Sequence, residues 1–325
     1  VTIVVIGSLL IVGGLVAWVL LDRLRWGSGA AVAVAVLAGF GLGAVVDDPC
    51  EVETTYHCAR VEADPDRPTG RVLWLDTLRH SYVDDADPAH LEFVYTRLFA
   101  AATEAFFPTD EALDALHVGG GAFTMPRWLQ ATRPDTRSVV LEIDDGLVEL
   151  VDEELPPPDD VDLEVRVGDG RRLVLDVPDA SQDVVYGDAF GGLAAPWHLT
   201  TREFVTEVHR VLRPGGLYVA NLIDRPPLRF TRAEAATFGD VFAHVAVIAP
   251  AATLEGRSGS NVVVLASDEE IPVAALEDAV AARGLDQVVL TGADLEAFVD
   301  GAPVLTDDFA PIDQWLASSA SGTAG

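Results

Sequence analysis

Between residues 113 and 266, short aliphatic and β-branched runs alternate with segments of helical period, and few folds accept that order. Residues 113–118, 138–143, 162–167 and 183–186 read as strands, and 124–132 and 145–153 between them as helices. A helix over 201–212 is stopped by Arg213-Pro214-Gly215-Gly216. Strands at 217–222, 241–249 and 261–266 follow, with a helix at 232–238. This alternation specifies an α/β fold, a doubly wound, mostly parallel open sheet with helices on both faces. Late helices at 272–282 and 294–299 are expected to pack outside the sheet. Pro156-Pro157-Pro158-Asp159-Asp160 is too short to link domains and reads as a loop.

Ahead of this region, 53–61, 71–76 and 80–83 read as antiparallel strands around the turn cluster Asp64-Pro65-Asp66-Arg67-Pro68-Thr69-Gly70. Leu91, Val94, Tyr95, Leu98 and Phe99 give 88–107 helical spacing. Residues 47–108 are thus expected to form a small antiparallel β-unit with a connecting helix. Residues 109–317 form the main domain in this reading, and 318–325 a disordered tail.

The first 46 residues differ in kind. They carry only three charges, Asp22, Arg23 and Arg25, and hold two uncharged stretches of twenty residues, 2–21 and 27–46. Each is long enough to cross a hydrocarbon core of ~30 Å at ~1.5 Å per residue. Gly39 and Gly43 supply the GxxxG spacing of close helix contacts in lipid. A transmembrane helical hairpin is expected, with multi-pass attachment to the cell membrane and lipid as a partner. The chain opens on Val1 with no basic leader, as a piece of a longer multi-span protein would. Arginines in the turn and acids after the second span place the large domain outside. There Cys50 and Cys58 could form a disulfide, provided 51–57 loops back; an extended strand would forbid it.

The formal net charge is −31 despite a mean hydropathy of +0.28. So acidic a surface repels phosphate backbones and excludes nucleic acid as a partner, while it attracts cations. Half the residues are hydrophobic, which rules out wholesale disorder.

Chemistry concentrates where strands end. His117-Val118-Gly119-Gly120-Gly121 follows one strand and precedes a helix, so its backbone can approach a ligand closely. Glu142 ends the next strand about twenty residues on, where a carboxylate accepts both ribose hydroxyls. Gly168-Asp169-Gly170 closes the third strand and Gly187-Asp188 the fourth. Gly-x-Gly-x-x-Gly is absent, because Phe123 and Thr124 follow the glycines. The spacing therefore fits an adenosine-binding, methyltransferase-like Rossmann-type sheet better than a dinucleotide site.

Tyr56-His57, Leu75-Asp76, Gly119-Gly120-Gly121, Glu142-Ile143-Asp144, Gly168-Asp169-Gly170 and Asp188 together resemble the spermidine synthase (polyamine aminopropyltransferase) family over about residues 50–265. The segments from Pro196 to Phe204 and from Leu305 to Pro311 resemble its membrane-attached, transporter-fused branch.

The resemblance implies transfer of an aminopropyl group from decarboxylated S-adenosylmethionine to a polyamine such as putrescine. It implies that His57, Gly119, Gly120, Gly121, Glu142, Asp169 and Gly170 bind the nucleoside cosubstrate. Tyr56, Asp76 and Glu92 fall on the amine side, and Asp188 takes the proton of the attacking amine. Both cosubstrates are made in the cytosol, which favours a cytoplasmic domain against the arginine argument. No permanently bound cofactor is expected, and a homodimer is left open.

Several positions depart from the family pattern. Ala122 and Phe123 stand where its turn has Asp-Gly, and Gly191 stands for its second loop acid. His57 replaces a glutamine, and Leu91 beside Glu92 occupies the middle of a Tyr-(His/Gln)-Glu element. Two further readings stay open. One is methyl transfer from S-adenosylmethionine itself; the other is a non-catalytic scaffold whose pocket is closed, with Phe123 pointing into it. Cys50, His57 and Cys58 lack a fourth metal ligand, so no metal is expected. His198 is a candidate either for substrate contact or for packing beside a helix cap.

Overall fold

The computed structural model describes residues 50–192 and 194–320. The expected transmembrane hairpin at 1–46 lies outside the described residues. Among the described residues no helix is long and apolar enough to cross a membrane.

Four strands, β1 (Val52–Glu53), β2 (Cys58–Ala63), β3 (Gly70–Leu75) and β4 (Leu78–Asp84), form an antiparallel sheet in the order β1-β2-β3-β4. The expected strand over 53–61 is two strands instead. Thr54 breaks it, because its hydroxyl accepts from the backbone N–H of both Tyr56 and His57 and closes a tight turn. Residues 51–57 therefore loop back, and Cys50 and Cys58 are joined in a disulfide with Cα atoms 5.1 Å apart.

Helix α1 (Val94–Phe106) starts later than the expected residue 88. The backbone N–H of His90 donates to the Asp87 carbonyl in a turn, and Phe93 is still extended at ψ 143°.

The second sheet has eight strands. They are β5 (Asp114–Val118), β6 (Arg137–Glu142), β7 (Asp162–Val167), β8 (Gln182–Gly187), β9 (Leu212–Asp224), β10 (His244–Ala249), β11 (Ser260–Ser267) and β12 (Val288–Leu290), ordered β12-β10-β11-β9-β8-β5-β6-β7. Neighbours from β9 through β7 are parallel. The other half, β9 to β12, pairs antiparallel, so the expected mostly parallel sheet carries an antiparallel edge of three strands. Arg213–Gly216 does not merely stop a helix; it is an irregularity in β9, where the pairing with β8 jumps from Gln182↔Leu212 to Val184↔Leu217.

Helices follow the strands: α2 (Thr124–Thr132), α3 (Asp145–Glu154), α4 (Gly170–Leu173), α5 (Arg202–Val211), α6 (Arg229–Val241), α7 (Ala251–Leu254), α8 (Val273–Ala282), α9 (Gly292–Val299) and α10 (Ile312–Ala320). Period-2 alternation in the strands splits the core into two faces. Val184, Tyr186, Leu217 and Val219 pack with Phe99 of α1, Trp128 of α2 and Leu276 of α8. Val185, Tyr218 and Ala220 pack on the opposite face with Phe204 of α5, Phe238 of α6 and Phe298 of α9.

A third cluster seats the small sheet on the large one, through Ala59, Leu73, Leu75 and Val83 against Phe123, Val140 and Leu147. The segment expected to be a disordered tail begins inside α10; residues 321–325 lie outside the described residues.

Candidate active site at the carboxyl ends of the parallel strands

The strand ends meet in a crevice walled on one side by the small sheet. Its floor is the turn after β5. Gly119 has φ 97°, and a Cβ there would lie 2.5 Å from the Asp188 carbonyl oxygen, so only glycine lets β5 and β8 come so close. Glu142, buried at the end of β6, shapes the same turn: its Oε2 accepts from Gly120 N–H at 2.7 Å and its Oε1 from Asp144 N–H at 3.0 Å. Each oxygen keeps a lone pair for a ligand hydroxyl.

Asp144, quoted with Glu142 in the sequence motif, has a structural task. It caps α3 by accepting from Leu147 N–H and also accepts from the Thr54 hydroxyl, tying the β1–β2 turn to the nucleotide sheet.

Asp169 caps α4 by accepting from Arg171 N–H at 2.8 Å, and His198 Nε2 approaches its Oδ1 at 3.5 Å across the crevice mouth. His198 thus lines the crevice, as does His57, whose Nδ1 is 3.3 Å from Asp76 Oδ2. The Cys58 backbone N–H and then His57 hold the Asp76 carboxyl below its usual range. The closing segment 305–311 reaches the same rim, where Asp307 accepts from Arg171 and from Thr201.

Asp188 stands at the inner end. It borders both the crevice and a second, small inner cavity beneath α1. Its Oδ1 accepts from Asn221 Nδ2 at 2.9 Å, and the Tyr95 hydroxyl also donates to it. Burial pushes its carboxyl up to about 6, against the two donors that favour the ionised form. Burial, reinforced by the Asp188 charge, holds the Tyr95 phenol well above its usual range. A carboxylate so poised suits proton removal near neutral pH.

His57, Gly119, Gly120, Gly121, Glu142, Asp169, Gly170 and Asp188 thus come together around the crevice. Tyr56 does not join them and is half-exposed. Asp76 reaches the crevice only through His57, and Glu92 Oε2 faces His90 Nε2 at 3.3 Å rather than either cavity. Phe123 is fully buried against Leu75 and Val140, so it does not plug the crevice.

Sequence reasoning missed the polar groups that face Asp188. Tyr95 counted only as a core position of α1, although the tyrosine of the helical element is the residue that reaches the site. Asn221 is the one polar side chain in the buried run 217–222, and that break in an apolar strand was the available signal. The metal-like Cys50, His57 and Cys58 do not gather as ligands, since the two sulfurs bond each other.

Residues 116–220 match the family model described as a methyltransferase domain. The fold is similar to the crystal structure of a probable spermidine synthase from Corynebacterium glutamicum ATCC 13032, with a TM-score of 0.74 and 32% identity, covering 81% of this chain and 97% of that one. The chain belongs to the spermidine synthase family.

Among sequence relatives, a polyamine aminopropyltransferase of Vibrio vulnificus (strain CMCP6) is 28% identical over 160 residues, 49% of this chain and 52% of the relative. A probable polyamine aminopropyl transferase of Bifidobacterium longum (strain NCC 2705) is 33% identical over 113 residues, 35% of this chain and 25% of the relative. The chain therefore spans from a quarter to about half the length of these two spermidine synthase relatives.

Proposed function

We propose that the protein transfers the aminopropyl group of decarboxylated S-adenosylmethionine to a primary amine. The observation that carries this is Asp188, a carboxylate raised toward neutrality and set where the nucleoside crevice meets a second cavity.

In the proposed reaction Glu142 holds the ribose hydroxyls and Asp169 with Gly170 the adenine edge. His57 and Gly119 to Gly121 line the rest of the nucleoside. The incoming ammonium gives one proton to the Asp188 carboxylate. Its freed lone pair attacks the aminopropyl carbon next to the sulfonium, and the carbon–sulfur bond breaks. The bond's electrons pass to sulfur, leaving neutral methylthioadenosine and a lengthened, protonated secondary amine that sheds its proton to solvent. Tyr95 and Asn221 hold the base in place.

The test is release of methylthioadenosine from decarboxylated S-adenosylmethionine with a panel of amines. Asp188→Asn should lower kcat at least ~100-fold, the scale of a lost general base. Turnover unchanged in that variant refutes the role of Asp188.

The match to a methyltransferase domain over residues 116–220 supports a second reading, methyl transfer from S-adenosylmethionine itself. Methylated product and S-adenosylhomocysteine would mark it. Attachment to the membrane through residues 1–46, with the domain on the cytosolic side where both cosubstrates arise, is proposed on the sequence alone, as is self-association into a dimer.

A further inference from the structure

His198 takes no part in the reaction as written, yet it lines the crevice beside Asp169 and Gly170. The short turn Trp197–Leu199 carries it away from the core, and the side chains of His198 and Asp169 keep 30% and 37% of their surface open. His198 Nε2 and Asp169 Oδ1 are 3.5 Å apart, too far for a good direct hydrogen bond, so each keeps capacity for a third group. Among the described residues the Asp169 carboxylate accepts a hydrogen bond only from the Arg171 backbone N–H.

Arg171 fixes both partners. Its backbone N–H holds Asp169 Oδ1 at 2.8 Å, while its Nη1 donates to the His198 carbonyl at 3.2 Å and to the Thr201 hydroxyl at 2.9 Å. Its Nη2 donates to Asp307 Oδ2 at 2.8 Å, and Asp307 Oδ1 accepts from Thr201 at 2.7 Å. A carboxylate acceptor and an imidazole are thereby held side by side at the crevice mouth. The carboxylate opposite favours the tautomer with its proton on Nε2, which makes that nitrogen a donor. Adenine presents the complement, an amino donor next to a ring nitrogen that accepts.

We propose that His198 reads the nucleobase: its Nε2–H donates to the adenine ring nitrogen next to the amino group that Asp169 holds, and Arg171 with Asp307 positions it. The inference rests on the nucleoside-binding reading of the crevice and adds a specificity-determining residue to it. It also gives Asp307, far away in sequence, a task in ligand selection.

The experiment is calorimetric titration of the full chain with methylthioadenosine and with its 1-deaza and 7-deaza analogues. Each analogue replaces one ring nitrogen beside the amine by C–H. The unaltered protein should bind one of the two about fivefold more weakly than the parent, the scale of one neutral hydrogen bond. In His198→Ala the parent should weaken about fivefold and that difference should vanish. His198→Gln keeps an N–H donor and should retain part of it. Loss of a merely structural contact would weaken parent and analogues alike and leave the difference in place.

Arg171→Ala keeps the backbone N–H on Asp169 but frees His198, so it too should lose the difference; a difference kept there overturns the positioning role of Arg171. An undiminished difference in His198→Ala, or no difference for either analogue in the unaltered protein, overturns the inference and leaves the nucleoside site standing. No binding of methylthioadenosine to the unaltered protein overturns the nucleoside reading and this inference with it.

Discussion

The Asn221 side chain donates to Asp188 Oδ1 at 2.9 Å, joining the ends of neighbouring parallel strands β8 and β9 through one hydrogen bond. Asn221 is itself fixed, since its own Oδ1 accepts from Asn261 Nδ2 on β11 at 3.0 Å. Three adjacent strands thus orient one carboxylate, and α1 adds the Tyr95 hydroxyl from above. A rigid acceptor of this kind suits a group that must meet a mobile ammonium in a fixed direction.

The raised carboxyl of Asp188 sets a pH profile. It is active when ionised, so kcat/KM should climb with pH along a limb centred near about 6. Tyr95→Phe and Asn221→Leu each remove a donor that favours the charged form, so each should move that limb upward by roughly one unit. A limb that stays in place in both variants would separate it from Asp188. Stability carries the opposite sign: the folded carboxyl keeps its proton to higher pH than the unfolded one, so this group's contribution is lost as pH rises from near 4 through about 6.

Glu142 can be tested for nucleoside binding apart from its task in the turn. Glu142→Gln keeps an acceptor for the Gly120 N–H, whereas Glu142→Ala removes both acceptors. Affinity for methylthioadenosine should fall on the order of a hundredfold in Glu142→Ala, close to 3 kcal/mol, and less in Glu142→Gln. Unchanged affinity in Glu142→Ala would move the ribose elsewhere.

Gly119 is constrained by both φ and space. Gly119→Ala should cost about 2–4 kcal/mol in urea unfolding, because a Cβ would lie 2.5 Å from a backbone oxygen that cannot swing away. A cost below ~0.5 kcal/mol would mean that the β5 and β8 ends separate easily.

The disulfide closes the turn that carries Thr54 to Asp144 and His57 to the crevice wall. Replacing both cysteines by serine should lower stability by about 2–3 kcal/mol, on the loop-closure scale for so short a separation. Methylthioadenosine affinity should weaken several-fold as the wall loosens. Full affinity in the serine variant would show that the hairpin holds itself.

Much of this was legible where local and global preferences agree. Residues 124–132 and 162–167 form the helix and strand that their periodicity predicts. The Gly turn, Glu142, Asp169 and Asp188 fall at strand carboxyl ends because alternation alone fixes which ends line one crevice. Contacts across elements were not legible. Nothing local says that Tyr95, in the first turn of an amphipathic helix, points at Asp188 and not only at Phe99. Local β-propensity over 53–61 was overridden by the Thr54 side chain, and β10 and β11 pair antiparallel across a short connection through α7.

The most direct test of the central claim is calorimetric titration of the protein with decarboxylated S-adenosylmethionine and with S-adenosylmethionine. The two ligands differ by one carboxylate, and the crevice already presents Glu142, Asp169 and Asp188. Like charges repel there, so the decarboxylated form should bind at least ~10-fold tighter, about 1.4 kcal/mol. Tighter binding of S-adenosylmethionine would contradict aminopropyl transfer and shift the chemistry to the methyl group, and heat from neither ligand would contradict a nucleoside site at all.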